Sequence, residues 1–317
     1  MTRWLVTGAG GMLGREVTGC LRRAGAAAVV GLSRPDLDIT DASAVRAALR
    51  RHRPEVIVNC AAWTAVDAAE TAPDRAMAVN GDAVRHLALA CAAGGARLVQ
   101  VSTDYVFAGD ADRPYDEDSV PAPRTVYGRT KLAGERAVLG LLPEAGLVVR
   151  TAWLYGGAGP SFVHTMMRLA RAGAGAEVVT DQRGQPTWTG DVADAMIALV
   201  QAGAAGICHL TSSGSATWYD LAVEVFSLAG ADPGLVSPVR TESRPRPAAR
   251  PAYSVLGHAA TSRPGVPPIG EWRAALRRAW PWLSPPATTV PPATTVPPAS
   301  TVAPASRTAA ASDNAPS

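Results

Sequence analysis

Along its first 150 residues the chain alternates short continuous apolar runs with stretches whose apolar residues recur every three or four positions. Trp4-Leu5-Val6-Thr7 reads as a buried strand, followed by a glycine-rich turn and a helix to about Arg23. Residues 28–32 form a second strand, and Asp41-Ala42-Ser43 supplies the cap of a helix to about Arg51. Val56-Ile57-Val58 is a third strand, 74–92 a long helix, 98–102 a fourth strand, 125–139 a helix and 147–150 a strand. Strands that are apolar on both sides, alternating with helices, predict an α/β fold with a doubly wound parallel sheet of the Rossmann type. After Arg150 the rhythm loosens. Residues 162–172, 192–201 and 218–228 read as helices, with proline-rich loops between 237 and 268.

This pattern divides the chain into a dinucleotide-binding domain at 1–150, to which elements at about 190–212 return, and a smaller, mainly substrate-binding lobe at 151–283. From Pro285 the sequence turns to PPATTV, PPATTV and PPASTV, with Arg307 and Asp313 its only charges. A segment with no face to bury is expected to be extended or disordered over 284–317, and dispensable for activity.

Composition narrows the functional classes. At 47% hydrophobic and 18% charged, 317 residues supply a core for one large domain or two closely joined ones. No run approaches the length of a membrane span, and the start lacks a signal-peptide core. Cys20, Cys60, Cys91 and Cys208 are scattered without a C-x-x-C pair, and five isolated histidines show no ligand spacing. Those features point to a cytoplasmic protein with no structural metal. A formal charge of +3 without a long basic run argues against nucleic acid. Of 30 basic residues, 29 are Arg and one is Lys131. A GC-rich coding bias explains the scarcity, and makes the surviving lysine worth following.

Two motifs carry chemistry. Gly8-Ala-Gly-Gly11-Met-Leu-Gly14 follows the first strand and opens the first helix, where glycines permit a tight turn and close approach of a pyrophosphate to free helix N–H groups. The second strand ends Gly31-Leu32-Ser33-Arg34, with no acid before Asp36. Ser33 and Arg34 there favour the 2′-phosphate of NADPH, with NADH the alternative. Lys131 lies four residues after Tyr127, one helical turn along the same face. A phenol is a poor proton donor at neutral pH, and an adjacent ammonium is expected to lower its pKa. Thr103, at the end of the fourth strand, is placed to hydrogen-bond a substrate carbonyl beside Tyr127.

Together Gly8-x-x-Gly11-x-x-Gly14, Thr103 and Tyr127-x-x-x-Lys131 resemble the extended short-chain dehydrogenases/reductases. The stretches Asn59-Cys-Ala-Ala-Trp-Thr-Ala-Val-Asp67, Ser102-Thr-Asp-Tyr-Val-Phe and Asp181-Gln-Arg-Gly-Gln-Pro-Thr187 are more finely similar to the dTDP-4-dehydrorhamnose reductase family and related 4-ketoreductases of deoxysugar pathways. The resemblance implies NADPH-dependent reduction at C4 of a dTDP-linked 4-keto-6-deoxy-L-hexose. In it Tyr127 protonates the alkoxide, Lys131 tunes Tyr127 and holds the nicotinamide ribose, and Thr103 orients the carbonyl. Gly11, Met12 and Leu13 contact the pyrophosphate, Asp38 and Ile39 lie near the adenine, and Ala61, Ala62 and Thr64 line the cofactor cleft. Asp104 and Trp153 match positions facing the sugar. The same resemblance allows a monomer or a homodimer.

The chain departs from the family at Ser161 (usually Asn), Gly257 (usually Asp) and Trp63 (usually Tyr), which bears on the sugar more than on the reaction. Some relatives bridge a dimer with magnesium held by clustered carboxylates; near the last helix this chain offers only Glu271, and that metal is not carried over. Two alternatives remain: a dehydratase or epimerase of the same fold, and a non-catalytic NADP-binding regulatory subunit. A dehydratase usually has a second carboxylate after the acid that follows Thr103, where this chain has Tyr105. A regulatory subunit has no need of the Thr103, Tyr127 and Lys131 set.

Overall fold

Six parallel strands form the central sheet: β1 (Arg3–Thr7), β2 (Ala28–Leu32), β3 (Val56–Asn59), β4 (Arg97–Thr103), β5 (Gly146–Thr151) and β6 (Gly206–His209). Their order is β6-β5-β4-β3-β1-β2, so the chain reverses direction across the sheet between β1 and β3. In such sheets ligands bind beyond the carboxyl ends of the strands at that reversal. A computed structural model describes residues 2–26, 28–259, 266 and 268–283. The proline- and alanine-rich segment at 284–317 lies outside the described residues.

Successive strand residues point to opposite faces and build two cores. Trp4, Val6, Val58, Val99 and Val149 pack against α1 (Met12–Arg23) and a later helix that carries Met196. Leu5, Ile57, Leu98 and Val148 pack on the other face, with α2 (Ala42–His52), α3 (Ala83–Gly94) and α4 (Val126–Leu141). Every residue of β3 and β5 is buried, which is why their sequences read as continuous apolar runs. The Asp41 carboxylate caps α2 through the Ser43 and Ala44 amides, and the Thr125 hydroxyl caps α4 through the Gly128 amide at 3.0 Å.

The helix expected over 74–92 is interrupted. Residues Ala78–Asp82 form a π-turn between a short helix at Pro73–Met77 and α3. The extra residue turns Asn80 inward, and such turns often accompany functional sites. A further short helix, Val66–Thr71, was not legible in the sequence.

A third core gathers Tyr155, Val163, Met167, Phe226, Trp272 and Leu276 between α5 (Phe162–Arg171), α7 (Trp218–Leu228) and α8 (Trp272–Leu283). Between them α6 (Thr189–Gln201) returns to the main sheet, carrying Met196 into the first core. Two strands absent from the sequence reading, Ala176–Val179 and Val236–Val239, pair in parallel beside this third core. No described helix is long and apolar enough to cross a membrane.

Candidate active site

The glycine turn is built to hold an anion. Gly8 has φ +64°, and a Cβ there would lie 2.5 Å from the Ala61 amide nitrogen. A Cβ on Gly14 would lie 2.2 Å from the Gly8 carbonyl oxygen. Both positions therefore require glycine. Gly11 caps α1 with no side chain on the helix's first N–H groups, which suits a pyrophosphate. Met12 sits at that end, close to Gly156, while Leu13 points its side chain into the core.

Away from the turn, the expected adenosine contacts are less uniform. The Ser33 hydroxyl donates to the Asp36 carboxylate at 2.5 Å, and the Ser33 amide does so at 2.9 Å. Ser33 is thus already engaged, and exposed Arg34 is the remaining candidate for a 2′-phosphate. Asp38 accepts from the Thr40 amide and hydroxyl, and the Ile39 side chain belongs to the second core.

A line of polar side chains crosses the carboxyl ends of three strands in register. Thr7, Asn59 and Gln100 are neighbours on β1, β3 and β4. The Thr7 hydroxyl donates to the Asn59 side-chain carbonyl at 2.6 Å, and the Asn59 amide group donates to Gln100 at 2.7 Å. The same Asn59 oxygen accepts from the Ala61 amide, placing Ala61 against the glycine turn. Ala62 follows, half-buried, and Thr64 is exposed. Asn80 binds both the amide and the carbonyl of Trp63, and donates to the Thr130 hydroxyl on α4 at 3.1 Å. One asparagine therefore joins the expected cofactor cleft to the helix bearing Tyr127 and Lys131.

Thr103, Asp104 and Tyr127 come together at the end of β4. The Thr103 hydroxyl donates to Asp104 Oδ1 at 2.9 Å, while Asp104 Oδ2 is buried without a partner. Burial pushes the Asp104 carboxyl up to about 6, against the opposing influence of the Ser254 and Thr103 hydroxyls. α4 approaches closely because Gly128 has no side chain: a Cβ there would lie 2.1 Å from the Tyr105 carbonyl oxygen. The Tyr105 ring meets Tyr127 edge-on, with centroids 5.6 Å apart.

The expected tuning of Tyr127 by Lys131 is not what the geometry gives. Burial pushes the phenol up to about 12, with the Thr103 hydroxyl working downward. The Lys131 ammonium instead donates to the Val101 carbonyl at 2.6 Å. Burial brings it down to about 8, with Glu135 and Cys60 working the other way. Lys131 is thus a buried cation poised near neutrality beside Tyr127, not a group that has already lowered it.

Beyond Tyr105 opens a cavity of about 450 Å³ lined by Phe162, Gln182, Trp218, Arg244, Arg246 and Arg250. Trp153 adopts φ +44°, unusual for a bulky residue, and stacks on Trp218 with ring centroids 3.6 Å apart. Gly184 leaves the room: a Cβ there would lie 2.5 Å from the Trp153 ring. Trp153 therefore packs on the third core and backs Trp218, which lines the cavity. Asp67 holds the far side, accepting from Arg250 at 2.7 Å and from the Ala248 amide at 3.2 Å. Arg244 pairs with Glu177, which also lines the cavity, and Arg246 and Arg250 share Asp67. Three guanidinium groups and two carboxylates thus stand beside the aromatic rings, a net positive setting for an anionic ligand with a planar base. A second groove of about 750 Å³, lined by Arg46, Leu49, Arg50 and Leu89, lies between α2 and α3 and contains none of these residues.

Residues 2–282 match the family described as RmlD substrate binding domain. The chain belongs to this family. Among RmlD-family proteins it is 57% identical over 284 residues to a dTDP-4-dehydrorhamnose reductase of Streptomyces griseus, covering 88% of this chain and 93% of that protein. It is 52% identical over 282 residues to a dTDP-4-keto-6-deoxy-D-glucose reductase of Streptomyces niveus, covering 89% and 98%. A crystal structure of a dTDP-4-dehydrorhamnose reductase from Bacillus anthracis in complex with NADP superposes with a TM-score of 0.84 at 37% identity, covering 88% of this chain and 98% of that one.

The three positions that depart from the family pattern each have a local contact. The Ser161 hydroxyl caps α5 through the His164 amide, the Gly257 carbonyl bonds the His209 ring, and Trp63 lies under the Arg75 guanidinium. Asn59, Gln100, Asn80 and the three cavity arginines escaped the sequence reading. Asn59 and Gln100 did carry a signal, as single amides interrupting apolar strands. The arginines carried none, because they lie in a proline-rich loop of a chain with 29 arginines.

Proposed function

We propose that this chain is an NADPH-dependent reductase acting on the C4 keto group of a dTDP-linked 4-keto-6-deoxy-L-hexose in deoxysugar biosynthesis. The observation that carries the reading is the meeting of Thr103, Tyr127 and Lys131 at the carboxyl end of β4, beside an arginine-lined cavity of nucleotide size. We take residues 1–150, with about 190–212, as the cofactor lobe and 151–283 as the substrate lobe.

The residues present fit a dinucleotide. A Cβ would fill the cradle at Gly8 and Gly14, and the start of α1 has unused N–H groups around Gly11, Met12 and Leu13. Ala61, Ala62 and Thr64 would line its cleft, Arg34 would take the 2′-phosphate, and Asp38 and Ile39 would border the adenine. When bound, NADPH supplies the hydride. The Thr103 hydroxyl orients the carbonyl, and Tyr127 delivers the phenolic proton to the oxygen as negative charge grows there. Lys131 holds the ribose and favours the phenolate left behind. Asp104 and Trp153 border the sugar, while Arg244, Arg246 and Arg250 hold the diphosphate.

The test uses NADPH deuterated at the transferring position and a dTDP-4-keto-6-deoxyhexose. One deuterium at sugar C4 in the product supports the proposal. Deuterium elsewhere, or loss of water from the sugar, contradicts it.

A further inference from the structure

Ser102, Arg150 and His209 are register neighbours on β4, β5 and β6, one step beyond the line formed by Thr7, Asn59 and Gln100. Their side chains converge on Glu135, one helical turn after Lys131. Glu135 Oε1 accepts from the Ser102 hydroxyl at 2.5 Å and from Arg150 Nε at 3.0 Å, and Oε2 accepts from Arg150 Nη2 at 2.7 Å. Arg150 Nη1 reaches the Glu117 carbonyl at 3.4 Å and faces His209 Nε2 at 3.5 Å. Burial and the Arg150 charge bring His209 down to about 3, so its neutral ring donates from Nδ1 to the Gly257 carbonyl at 2.9 Å. The guanidinium also lies over the Phe107 ring, 4.9 Å from its centroid.

Glu135 and Arg150 are each 1% exposed. A buried ion pair is a weak source of net stability, because desolvation offsets the attraction and apolar residues of equal volume often serve as well. This one has a placement that apolar residues cannot reproduce. Ser102 directly precedes Thr103, and Glu135 shares a helix face with Tyr127 and Lys131. We infer that Glu135 is a positioning residue of the reaction: its carboxylate clamps the Thr103 end of β4 against the Tyr127 and Lys131 face of α4. The inference rests on the roles proposed above for those three residues.

The clamp has an electrostatic consequence. Lys131 faces Glu135 on its own helix, Cys60 beyond the end of β3, and the uncharged Val101 carbonyl on β4. Arg150 on β5 faces the opposite side of the Glu135 carboxylate. Removing the carboxylate removes an anion that helps Lys131 keep its proton. The ammonium is then lost at lower pH.

The decisive variant is Glu135→Gln, followed by NADPH fluorescence titration from pH 6 to 10 and by steady-state kinetics. The alkaline limb of NADPH binding is expected to move down by about one pH unit or more, and kcat at neutral pH to fall on the order of 10²-fold. Ser102→Ala should lower kcat while leaving that limb in place, since the ion pair survives. If Glu135→Gln does not fold, the double variant Glu135→Gln/Arg150→Met removes both charges together and should show a smaller displacement in the same direction. A folded variant whose limb stays at the wild-type pH, with activity reduced equally at every pH, makes Glu135 a structural residue and overturns the inference. Wild-type protein that binds NADPH but reduces no keto-sugar defeats the functional reading instead, and the binding limb still decides the role of Glu135.

Discussion

Tyr127 and Lys131 stand one turn apart on α4, yet the Lys131 ammonium donates to the Val101 carbonyl of the neighbouring strand at 2.6 Å. The phenol is left buried, with Thr103 and Asp104 as its polar surroundings and a pKa near 12. Tyr127 is therefore protonated throughout the neutral range, as a proton donor to an alkoxide must be. Tyr127→Phe is expected to cut kcat by about 10²- to 10⁴-fold while leaving the NADPH dissociation constant nearly unchanged. Fluorescence titration and steady-state rates on one preparation separate the two effects. Equal loss of binding and turnover would give Tyr127 a structural role.

Asp104 trades stability for a ready acceptor. Its folded pKa of about 6 lies above the ordinary carboxylate value. The stability this group contributes is full below about pH 4 and is lost as pH rises through about 6. Asp104→Asn is accordingly expected to raise the melting temperature at pH 7.5, by relief worth about 1–3 kcal/mol, with no gain at pH 3.5. Its kcat/KM should fall. Thermal melts at the two pH values check the sign.

Two glycines of α1 make opposite expectations. At Gly14 a Cβ meets the Gly8 carbonyl at 2.2 Å, so Gly14→Ala should abolish NADPH binding. At Gly19 the nearest atom is the flexible end of Arg23, at 3.1 Å. Gly19→Ala should therefore stabilise the helix by about 0.5–1 kcal/mol and leave binding intact. Calorimetry with NADPH reads both outcomes.

Much of this was legible in the sequence, and the reasons are local. Strands β3 and β5 announce themselves because both faces are buried, and α2 because Asp41 caps it. Tyr127 and Lys131 are visible because helical spacing fixes their shared face. The direction of the Lys131 ammonium was not visible, since the Val101 carbonyl that receives it lies 30 residues away in sequence. The same holds for Asn80, whose partners depend on a π-turn, and for Glu135, whose three bonds cross from α4 to β4 and β5. Long-range register decides these contacts, and one chain read by periodicity does not contain it.

The cavity arginines should act on binding more than on chemistry. Arg246→Ala is expected to raise KM for the nucleotide sugar about tenfold or more with kcat little changed, the signature of lost uniform binding. Asp67→Asn should follow the same course, because it frees Arg250 from the contact that orients it at 2.7 Å. A fall in kcat with KM unchanged would move these residues into the chemical step.

The most direct test of the reaction assigned to this site is stopped-flow mixing of the NADPH-bound protein with a dTDP-4-keto-6-deoxyhexose, followed at the nicotinamide absorbance. A rapid loss of absorbance in wild-type protein, absent in Tyr127→Phe with NADPH equally bound, is the expected result. An unchanged absorbance in wild-type protein that demonstrably holds NADPH and the nucleotide sugar would contradict it.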